Sequence, residues 1–462
     1  MNLAILLSPA VLGLAMVVTF MTLIMTKRMS VIAALLIVPI LFGLIAGAGP
    51  GLGGMMIQGV LQVAPTALML AFAVLFFAIM MDAGLFEPLV RRVLATVGED
   101  PVRISMGTAI LAMLVSLDGD GTTTALILIT AMLPVYRRVG MNPLILATLL
   151  GLSNALMNFV PWGGPSARAA SALHVDLSDV FLPLLPAVGV GLATVVGLSW
   201  MFGHSERRRL ARTAMSRDPN EVFIDTPTGR IAPEADEATR AARRPRLFWF
   251  NLFLTVALML GMILSLAPLP VLMMGAFAIA VTINYPRLKD QKARLAAHSE
   301  NVVNVVVLIF SAGAFTGILN GAGMADAMAA AALSVIPPSV GPFLAPITAL
   351  ASLPLTFVMS NDAYYFGVVP VIAHTAASFG IAPEVIARAS LIGQPVHALS
   401  PLLAPIYLAC GLLGVDVADV QRFALKWAGL ISLVLLVVAS VSGAIPLSPT
   451  WSPEAVLAGQ RQ

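Results

Sequence analysis

The segment Ser116–Pro134, SLDGDGTTTALILITAMLP, places two carboxylates in the middle of an apolar run. Asp118 and Asp120 are the only charged residues between Ile104 and Tyr136. A charge within a bilayer is expensive unless it is paired or used in function. Non-helical backbone survives there only where protein or water satisfies its polar groups. The segment therefore predicts a functional loop inside a membrane protein.

The composition supports the same class. Of the 462 residues, 59% are hydrophobic and only 11% are charged, too few to cover a soluble domain of this size. A membrane-spanning helix needs roughly 20 apolar residues, and about eleven such runs can be counted, each costly to expose to water. We therefore expect an all-α polytopic membrane protein. The net charge of +3 comes from basic residues in short loops, which indicate orientation rather than nucleic-acid binding.

The basic residues predict how the chain is threaded through the membrane. With Lys27 and Arg28 in the cytoplasm, the N-terminus lies outside and the arginine-rich segment 204–246 lies inside. The remaining basic clusters fall on the cytoplasmic side only if 104–136 enters and leaves from that side. The same reasoning makes 341–378 enter from outside. The sequence thus predicts two re-entrant hairpins of opposite orientation.

The two halves of the chain also resemble each other. A constant offset pairs Pro143 with Pro383 and Pro161 with Pro401. Together with the opposite entry sides of the hairpins, this match predicts an inverted-topology repeat. Repeats of this kind build secondary transporters, with the substrate site between broken helices.

These features divide the chain into segments. We expect N-terminal scaffold helices in 1–63, transport repeat 1 in 64–203 with hairpin 104–136 and broken helix 143–174, a flexible cytoplasmic linker in 204–246, second-half scaffold helices in 247–300, transport repeat 2 in 301–420 with hairpin 341–378 and broken helix 383–414, and a last helix with a tail in 421–462. The hairpin tips, Asp118–Thr124 and Ser360–Tyr365, are expected to meet beside the breaks Asn158–Pro165 and His397–Pro401.

Polar residues cluster at these tips and breaks. Glycine and proline there free backbone groups that can hold ions, and half-helix N-termini favour anions. The candidate substrate-binding residues are Thr122, Thr123, Ser153, Asn154, Asn158, Trp162, Gly163, Gly164, Arg168, Ser360, Asn361, Tyr364, Gln394, His397 and Ser400. The candidate metal or proton sites are Asp118, Asp120 and Asp362. Thr122 and Thr123 are equally compatible with a role in helix packing. His397 is equally compatible with a role as a buried structural hydrogen-bond donor.

Arg168 indicates the class of substrate. It is the only charged residue between Arg138 and Asp176, and it follows the motif PWGGPSA directly. A fixed guanidinium beside glycine amides is a receptor for a carboxylate. The nearby aspartates imply that a metal, a proton or sodium binds as well. We therefore expect an anion that is accompanied by a cation.

The two aspartates of the opening segment have two possible roles. Two carboxylates close together in a low-dielectric site do not both stay ionised easily, so one of them can carry a coupling proton. A divalent cation has the opposite effect and favours the ionised pair. Asp118 and Asp120 are thus expected to bind the metal or carry the proton, with Asp362 and His397 as further titrating groups. The alternative is a structural carboxylate that caps the amides of the hairpin.

At these residues the sequence resembles the citrate–divalent-metal:proton symporter family, CitMHS, of the ion transporter superfamily. The resemblance covers essentially the whole chain. Its motifs include LVSLDGDGTTT, GMNPLILATLLGLSNALMNFVPWGGPSAR, MSNDAYYFGVVPV and ARASLIGQPVHALSPL. The resemblance implies proton-driven uptake of citrate, complexed with a divalent cation of the Mg²⁺ or Ca²⁺ type, across a bacterial inner membrane. It implies neither enzymatic activity nor a resident cofactor.

A more distant likeness concerns the second hairpin. MSNDAYYFGVVP looks like the hairpin motifs of divalent-anion:sodium symporters, which are homodimers with a static scaffold and a moving transport domain. This likeness implies a homodimer with an elevator mechanism. The present sequence has Gly-Asp-Gly-Thr in the first hairpin, where the sodium-coupled relatives have Ser-Asn-Thr. Asp362 occupies the third position of the second motif, and these carboxylates favour a proton or a metal over sodium.

Two other functions remain open on the residues alone. One is a sodium- or proton-coupled symporter of a free di- or tricarboxylate. The other is a cation or arsenite-type exporter of the same superfamily, which does not need Arg168 for a carboxylate. A membrane enzyme finds little support, because no nucleophile–base pair and no His/Cys cluster stands out.

Overall fold

The regular structure of the protein is helical. The computed structural model describes residues 8–119, 121–215 and 242–447, without the side chains of Asp118 and of residues 213–215. Within these residues there are helices and turns but no strand. The all-helical class predicted from composition is therefore confirmed.

The first half contains ten helices in the described residues. They are α1 (Pro9–Met25), α2 (Val31–Ile45), α3 (Leu52–Asp82), α4 (Glu87–Val97), α5 (Pro101–Val115), α6 (Gly121–Val139), α7 (Pro143–Met157), α8 (Gly164–Leu173), α9 (Leu177–Phe181) and α10 (Leu185–Met215). A short 3₁₀ turn, Ser116–Asp118, separates α5 from α6, which pack against each other. This helix–turn–helix lies in the segment predicted as the first hairpin, and its re-entry into the membrane stays a prediction.

The second half contains a further ten α-helices in the described part. They are α11 (Phe248–Ile263), α12 (Leu269–Asn284), α13 (Leu288–Gly321), α14 (Met324–Val335), α15 (Leu344–Val358), α16 (Val369–Ala377), α17 (Pro383–Leu391), α18 (Gln394–His397), α19 (Ala404–Leu413) and α20 (Val417–Val441). A π-helical turn, Ala363–Val368, joins α15 to α16 at the tip of the second hairpin. A π turn interrupts the regular hydrogen-bond ladder, and such turns are frequent at functional sites.

Six helical segments of the described chain are long and apolar enough to cross a membrane. They are Gly49–Asp82, Leu177–Arg212, Pro245–Ile263, Leu288–Gly321, Gly341–Val358 and Val417–Val441. Shorter apolar helices, among them α1, α2, α5 and α7, accompany them. Length and composition thus confirm a multi-pass membrane protein. The count of about eleven spans and the entry sides of the hairpins stay predictions.

The boundaries of the helices repeat between the two halves with the offset found in the sequence. Helices α7 and α17 begin at Pro143 and Pro383, and α8 and α19 cover residues 164–173 and 404–413. Both α8 and α19 end in a left-handed C-cap, His174 in one and Gly414 in the other. Because proline is favoured in the first helical turn and a left-handed residue ends a helix, the same local signals fix both copies.

Helices α3 and α13 pack more closely against each other than any other helix pair of the described chain. A Cβ atom on Gly59 would lie 2.0 Å from the carbonyl oxygen of Gly313, and one on Gly317 would lie 2.3 Å from that of Met55. Glycines four residues apart let two membrane helices approach backbone to backbone. The α3–α13 pair is therefore a rigid unit, and the hairpins and broken helices are described relative to it.

Helices α1 and α2 join this pair through a separate apolar cluster. The rings of Phe20 and Phe315 lie 5.0 Å apart, and Met16 and Met324 are fully buried beside them. Tilted aromatic pairs at this distance stabilise packing beyond their buried area. The cluster fixes α1 to α13 and α14.

Helix α10 extends into the segment that the sequence assigns to a linker. The helix continues to Met215, whereas the sequence places the start of the linker 204–246 near the end of the apolar run. Glu206 accepts hydrogen bonds from Arg209 and from the backbone N–H of Asn142, and these contacts stabilise the added turns. Residues 216–241 of the predicted linker lie outside the described residues.

Candidate substrate site

The tip of the first hairpin is bound to the first helix break. The indole Nε1 of Trp162 donates to the carbonyl oxygen of Leu117 at 2.8 Å, and Asn154 donates to the hydroxyl of Ser116 at 3.4 Å. Asn158 in turn donates to the side-chain oxygen of Asn154 at 3.0 Å. The indole thus satisfies a backbone carbonyl that the interrupted helix leaves unpaired, and the two amides link the side chains of the tip and the break. The break orients the hairpin tip.

Glycine is required sterically at the same break. A Cβ atom on Gly163 would lie 2.0 Å from the carbonyl oxygen of Asn158, closer than any side chain permits. Gly119 has a left-handed conformation with φ of 78°, which glycine adopts without strain. Gly163 therefore lets the break fold tightly back on Asn158, and Gly119 lets the loop turn at the hairpin tip.

The tip of the second hairpin is bound to the second break in a similar way. The amide of Gln394 donates to the hydroxyl of Tyr365 at 2.9 Å and to the side-chain oxygen of Asn361 at 3.2 Å. Ser400 donates to the carbonyl oxygen of Phe357 at 2.7 Å. Gln394 occupies the position that corresponds to Asn154 of the first repeat. Each hairpin tip is thus held by an amide side chain of its own broken helix.

His397 is fixed in one tautomer by its neighbour. Its Nδ1 lies within hydrogen-bond distance of the carbonyl oxygen of Thr356, and a carbonyl can only accept, so Nδ1 carries the proton. The Nε2 atom is buried and has no hydrogen-bond partner among the described residues. Nε2 of His397 is therefore a hydrogen-bond acceptor without a partner among the described residues, and it lies beside the second hairpin.

One ion pair joins the two repeats. The Nε of Arg168, on α8, donates to Oδ1 of Asp362 at the tip of the second hairpin at 2.6 Å. The two side chains are only 22% and 18% exposed, so the pair is largely withdrawn from solvent. The bond fixes one edge of the planar guanidinium, while Nη1 lies close to the N-terminus of α8: a Cβ atom on Gly164 would meet it at 2.8 Å. Arg168 is therefore held in place before any ligand arrives.

A cavity of about 640 Å³ opens beside this arginine. It is lined by Gly119, Thr122, Thr123, Trp162, Gly164 and Arg168 from the first repeat. The ring of Trp162 packs on Phe77 with a centroid distance of 4.9 Å, which shapes one wall. The cavity thus combines a guanidinium, hydroxyl groups and the N-terminus of a helix, all of which suit an anion.

The opposite wall comes from α3 and α13 and is not among the site residues that the sequence predicts. Asp82, His298, Asn301 and Asn304 line it, together with apolar residues. Asp82 accepts hydrogen bonds from His298 at 2.8 Å and from Arg294 at 3.3 Å, so its charge is compensated. The signal in the sequence was the pair of asparagines three residues apart at the start of an apolar run. Such amides at a helix interval indicate a polar face.

The predicted site residues fall into three groups. Thr122, Thr123, Trp162, Gly164 and Arg168 line the cavity, and Asp362 reaches it through its ion pair. The second group supports the hairpin tips or is buried beside them without lining the cavity: Ser153, Asn154, Asn158, Gly163, Ser360, Asn361, Tyr364, Gln394, His397 and Ser400. The third group is Asp120, which lies outside the described residues, and Asp118, of which only the backbone is described.

Comparison with known proteins identifies the family. The family model described as Citrate transporter, CitMHS, matches residues 20–393. A Bacillus subtilis (strain 168) protein named "Citrate transporter" is 50% identical over 436 residues, covering 94% of this chain and 99% of the relative. The chain belongs to the CitMHS citrate transporter family. Another relative from the same organism, "Mg(2+)/citrate complex secondary transporter", is 46% identical over 440 residues, covering 95% of this chain and 99% of the relative. The family and these relatives are transporters rather than enzymes.

Solved structures place the fold among transporters. The Alcanivorax borkumensis YdaH transporter superimposes with a TM-score of 0.57 at 18% identity, covering 86% of this chain and 89% of that one. Neisseria gonorrhoeae MtrF, from a class of antimetabolite efflux pumps, gives a TM-score of 0.55 at 14% identity, with coverages of 88% and 87%. At these identities the likeness concerns the fold alone.

Proposed function

We propose that this CitMHS protein is a secondary transporter that imports citrate as a complex with a divalent metal ion and couples the uptake to protons. The relatives named for citrate and for a Mg²⁺/citrate complex support the substrate. The observation that carries the proposal is the cavity beside Arg168, whose guanidinium is fixed by Asp362. A fixed, planar guanidinium recognises a carboxylate through paired hydrogen bonds.

The charges of the cavity favour the complex over free citrate. Arg168 and His298 are the only basic residues among those that line it in the described chain, and each is bonded to an aspartate. Fully ionised citrate carries three negative charges, and a bound divalent cation leaves one. A single, partly compensated guanidinium matches a complex with one net charge better than it matches a trianion.

The metal ion in this proposal is held by oxygen ligands. Mg²⁺ and Ca²⁺ prefer carboxylate, hydroxyl and water oxygens. Thr122 and Thr123 line the cavity, and Asp118 and Asp120 precede them in the chain. We assign the aspartates to the metal ion or to the coupling proton, and the arginine to a citrate carboxylate.

The proposed motion is of the elevator type, in a homodimer of the bacterial inner membrane. We assign α3 and α13 to the static scaffold together with α1, α2, α11 and α12, because the glycine contacts make α3 and α13 one rigid pair. This assignment extends the scaffold expected from the sequence, which placed residues 64–82 and 301–321 in the transport repeats. The hairpins and broken helices then move as one body, and the cavity lies between the two parts.

Uptake of radiolabelled citrate into membrane vesicles tests the proposal. We expect uptake to require Mg²⁺ or Ca²⁺, to rise when the outside is made more acidic than the lumen, and to collapse with an uncoupler. Arg168→Gln should abolish uptake, while Arg137→Gln, an exposed arginine at the end of α6, serves as control. Undiminished uptake in EDTA would instead indicate a free-anion symporter, and stimulation by a sodium gradient would contradict proton coupling. Absence of citrate accumulation in every condition would favour an exporter.

A further inference from the structure

The polar end of helix α10 carries a stripe of large side chains on one face. Trp200, His204, Arg208 and Arg212 follow one another at intervals of four residues, which places them above one another on a helix. The rings of the tryptophan and histidine lie 4.2 Å apart, and the histidine Nδ1 bonds to the tryptophan carbonyl oxygen at 3.0 Å. With Met201, Ser205 and Arg209 they line an open groove of about 680 Å³.

Within the described residues, neighbouring arginines on the same helix have acidic partners, whereas Arg208 and Arg212 do not. Arg207 donates to Asp100 at 2.6 Å, and this bond holds the pKa of that carboxyl below its usual value. Arg209 is bonded to Glu206. By contrast, neither Arg208 nor Arg212 has a carboxylate within 4.0 Å among the described residues. In the part of the chain that the structure describes, no acidic side chain therefore neutralises these two guanidinium groups.

The stripe lies where the apolar part of α10 ends. Val190 and Met201 are exposed on the apolar side, and Trp200 is 53% exposed. The sequence then changes within a few residues to His204, Ser205 and the arginines. Tryptophan is enriched at the boundary between hydrocarbon and headgroups, with basic residues just beyond it. The order along the helix thus matches the order of acyl chain, glycerol region and phosphate in a lipid.

We propose that this face of α10, formed by Trp200, His204, Arg208 and Arg212, binds the headgroup of an anionic phospholipid. The two guanidinium groups take the phosphate and the indole packs on the glycerol and acyl region. Guanidinium forms paired, charge-assisted hydrogen bonds with phosphate oxygens. A second copy of this chain is a poor occupant, because two such basic faces repel each other. None of these residues lines the 640 Å³ cavity, so the lipid site is independent of the proposed transport function.

Native mass spectrometry of the purified full-length protein tests the site. The probes are phosphatidylglycerol and phosphatidylcholine with the same acyl chains. We expect preferential retention of phosphatidylglycerol by the wild type. The preference should fall by about 25-fold in the double variant Arg208→Gln/Arg212→Gln, since each basic residue near the surface contributes about fivefold to the binding of an anionic lipid.

A matched control carries the same loss of charge elsewhere. Lys289→Gln/Lys292→Gln removes two exposed lysines from the start of α13, where no tryptophan adjoins them. This variant should keep the preference for phosphatidylglycerol. An equal loss in both double variants would mean that general attraction, rather than this groove, holds the lipid, and would overturn the proposal.

A second measurement locates the lipid on the groove. Phosphatidylglycerol with brominated acyl chains should quench tryptophan fluorescence in the wild type more than in Trp200→Phe. The quenching that depends on Trp200 should be smaller when Arg208→Gln/Arg212→Gln is also present. Inorganic phosphate at the same concentration should not displace the lipid. Quenching that is identical in wild type and Trp200→Phe, or full displacement by phosphate, would contradict a lipid site on this face.

Discussion

At the scale of single residues, Arg168 combines a structural contact with a free edge for ligand. Its Nε is bonded to Asp362, which comes from the other half of the chain, and its Nη1 lies beside the start of α8. The bond to the aspartate orients the guanidinium without occupying all of its donors. In the proposed function, one residue thus both joins the two repeats and recognises an anion.

The first prediction concerns the geometry of this guanidinium. Arg168→Lys keeps the charge but loses the planar fork, so we expect the KM for citrate to rise by about tenfold or more. Arg137→Lys, at an exposed position, should leave uptake unchanged. Initial rates of citrate uptake in vesicles measure both. An unaltered KM in Arg168→Lys would remove this residue from the substrate site.

The second prediction uses the glycine beside the same group. In Gly164→Ala the new Cβ atom would lie 2.8 Å from Nη1 of Arg168, so the guanidinium must shift while the helix itself tolerates alanine. We expect a several-fold rise in KM with normal thermal stability. Gly189→Ala in α10 meets no atom within 4 Å and is the matched control. Equal kinetics for the two variants would argue against a preset guanidinium.

The third prediction separates coupling from binding at Asp118 and Asp120. Asp→Asn at the residue that carries the proton should abolish uptake driven by a pH gradient but retain part of the exchange of citrate without a gradient. At a residue that only binds the metal ion, both activities should fall together, because a neutral amide is a weaker ligand for a hard cation. If both variants accumulate citrate with the pH dependence of the wild type, neither aspartate couples transport.

At the scale of helices, close packing depends on three glycines. Gly59 of α3 faces Gly313 and Gly317 of α13, and the backbones are in contact there. No side-chain interaction can replace such a contact, because any Cβ atom would separate the helices. This pair supplies the wall of the cavity that carries Asn301 and Asn304.

The fourth prediction tests that packing. In Gly317→Ala the Cβ atom would lie 2.3 Å from the carbonyl oxygen of Met55, so we expect a destabilisation of about 1–3 kcal/mol from overpacking. Gly275→Ala on α12 meets nothing within 4 Å and should be neutral or slightly stabilising. Thermal unfolding in detergent measures the difference. A Gly317→Ala protein as stable as wild type would contradict the close approach.

At the scale of the whole molecule, the proposed elevator motion requires contacts between scaffold and transport parts to break. His174, at the end of α8, shares a hydrogen bond of 2.9 Å with Thr316 of α13. These residues belong to the two parts that we propose to move against each other. Their contact lies away from the cavity, whose lining does not include them.

The fifth prediction follows from this contact. In a background with Cys410→Ser, the pair His174→Cys/Thr316→Cys, joined by a short bifunctional thiol reagent that a reductant cleaves, should stop citrate transport. Binding of citrate with Mg²⁺ to the solubilised protein should persist, because the cavity stays intact. Cleavage of the reagent should restore uptake. Transport that continues through a complete cross-link would rule out the motion, and each single cysteine variant treated with reagent serves as control.

The sequence by itself determined the all-helical class and the offset between the two halves, and it located the polar interruptions of the apolar runs. Apolar runs predict the helices because hydrocarbon forces backbone groups to pair within a segment. Prolines and left-handed residues fix the helix ends, so the offset between Pro143 and Pro383 reappears in the structure. Arg168 was found from its isolation in an apolar stretch. These signals are local, and they can be read from one chain.

Only the tertiary structure decided which of these positions share a cavity. Thr122 and Trp162 line it with Arg168, whereas Gln394 and His397 hold the second hairpin instead. The partnership of Arg168 with Asp362 joins residues far apart in the chain, and no local pattern specifies it. The wall from α3 and α13 arises from helix packing through glycine, which depends on the three-dimensional fit of two distant segments. Helix formation depends on residues that are neighbours in the chain, whereas long-range packing depends on segments that are far apart in it. Long-range packing therefore cannot be predicted from the residues around any single position.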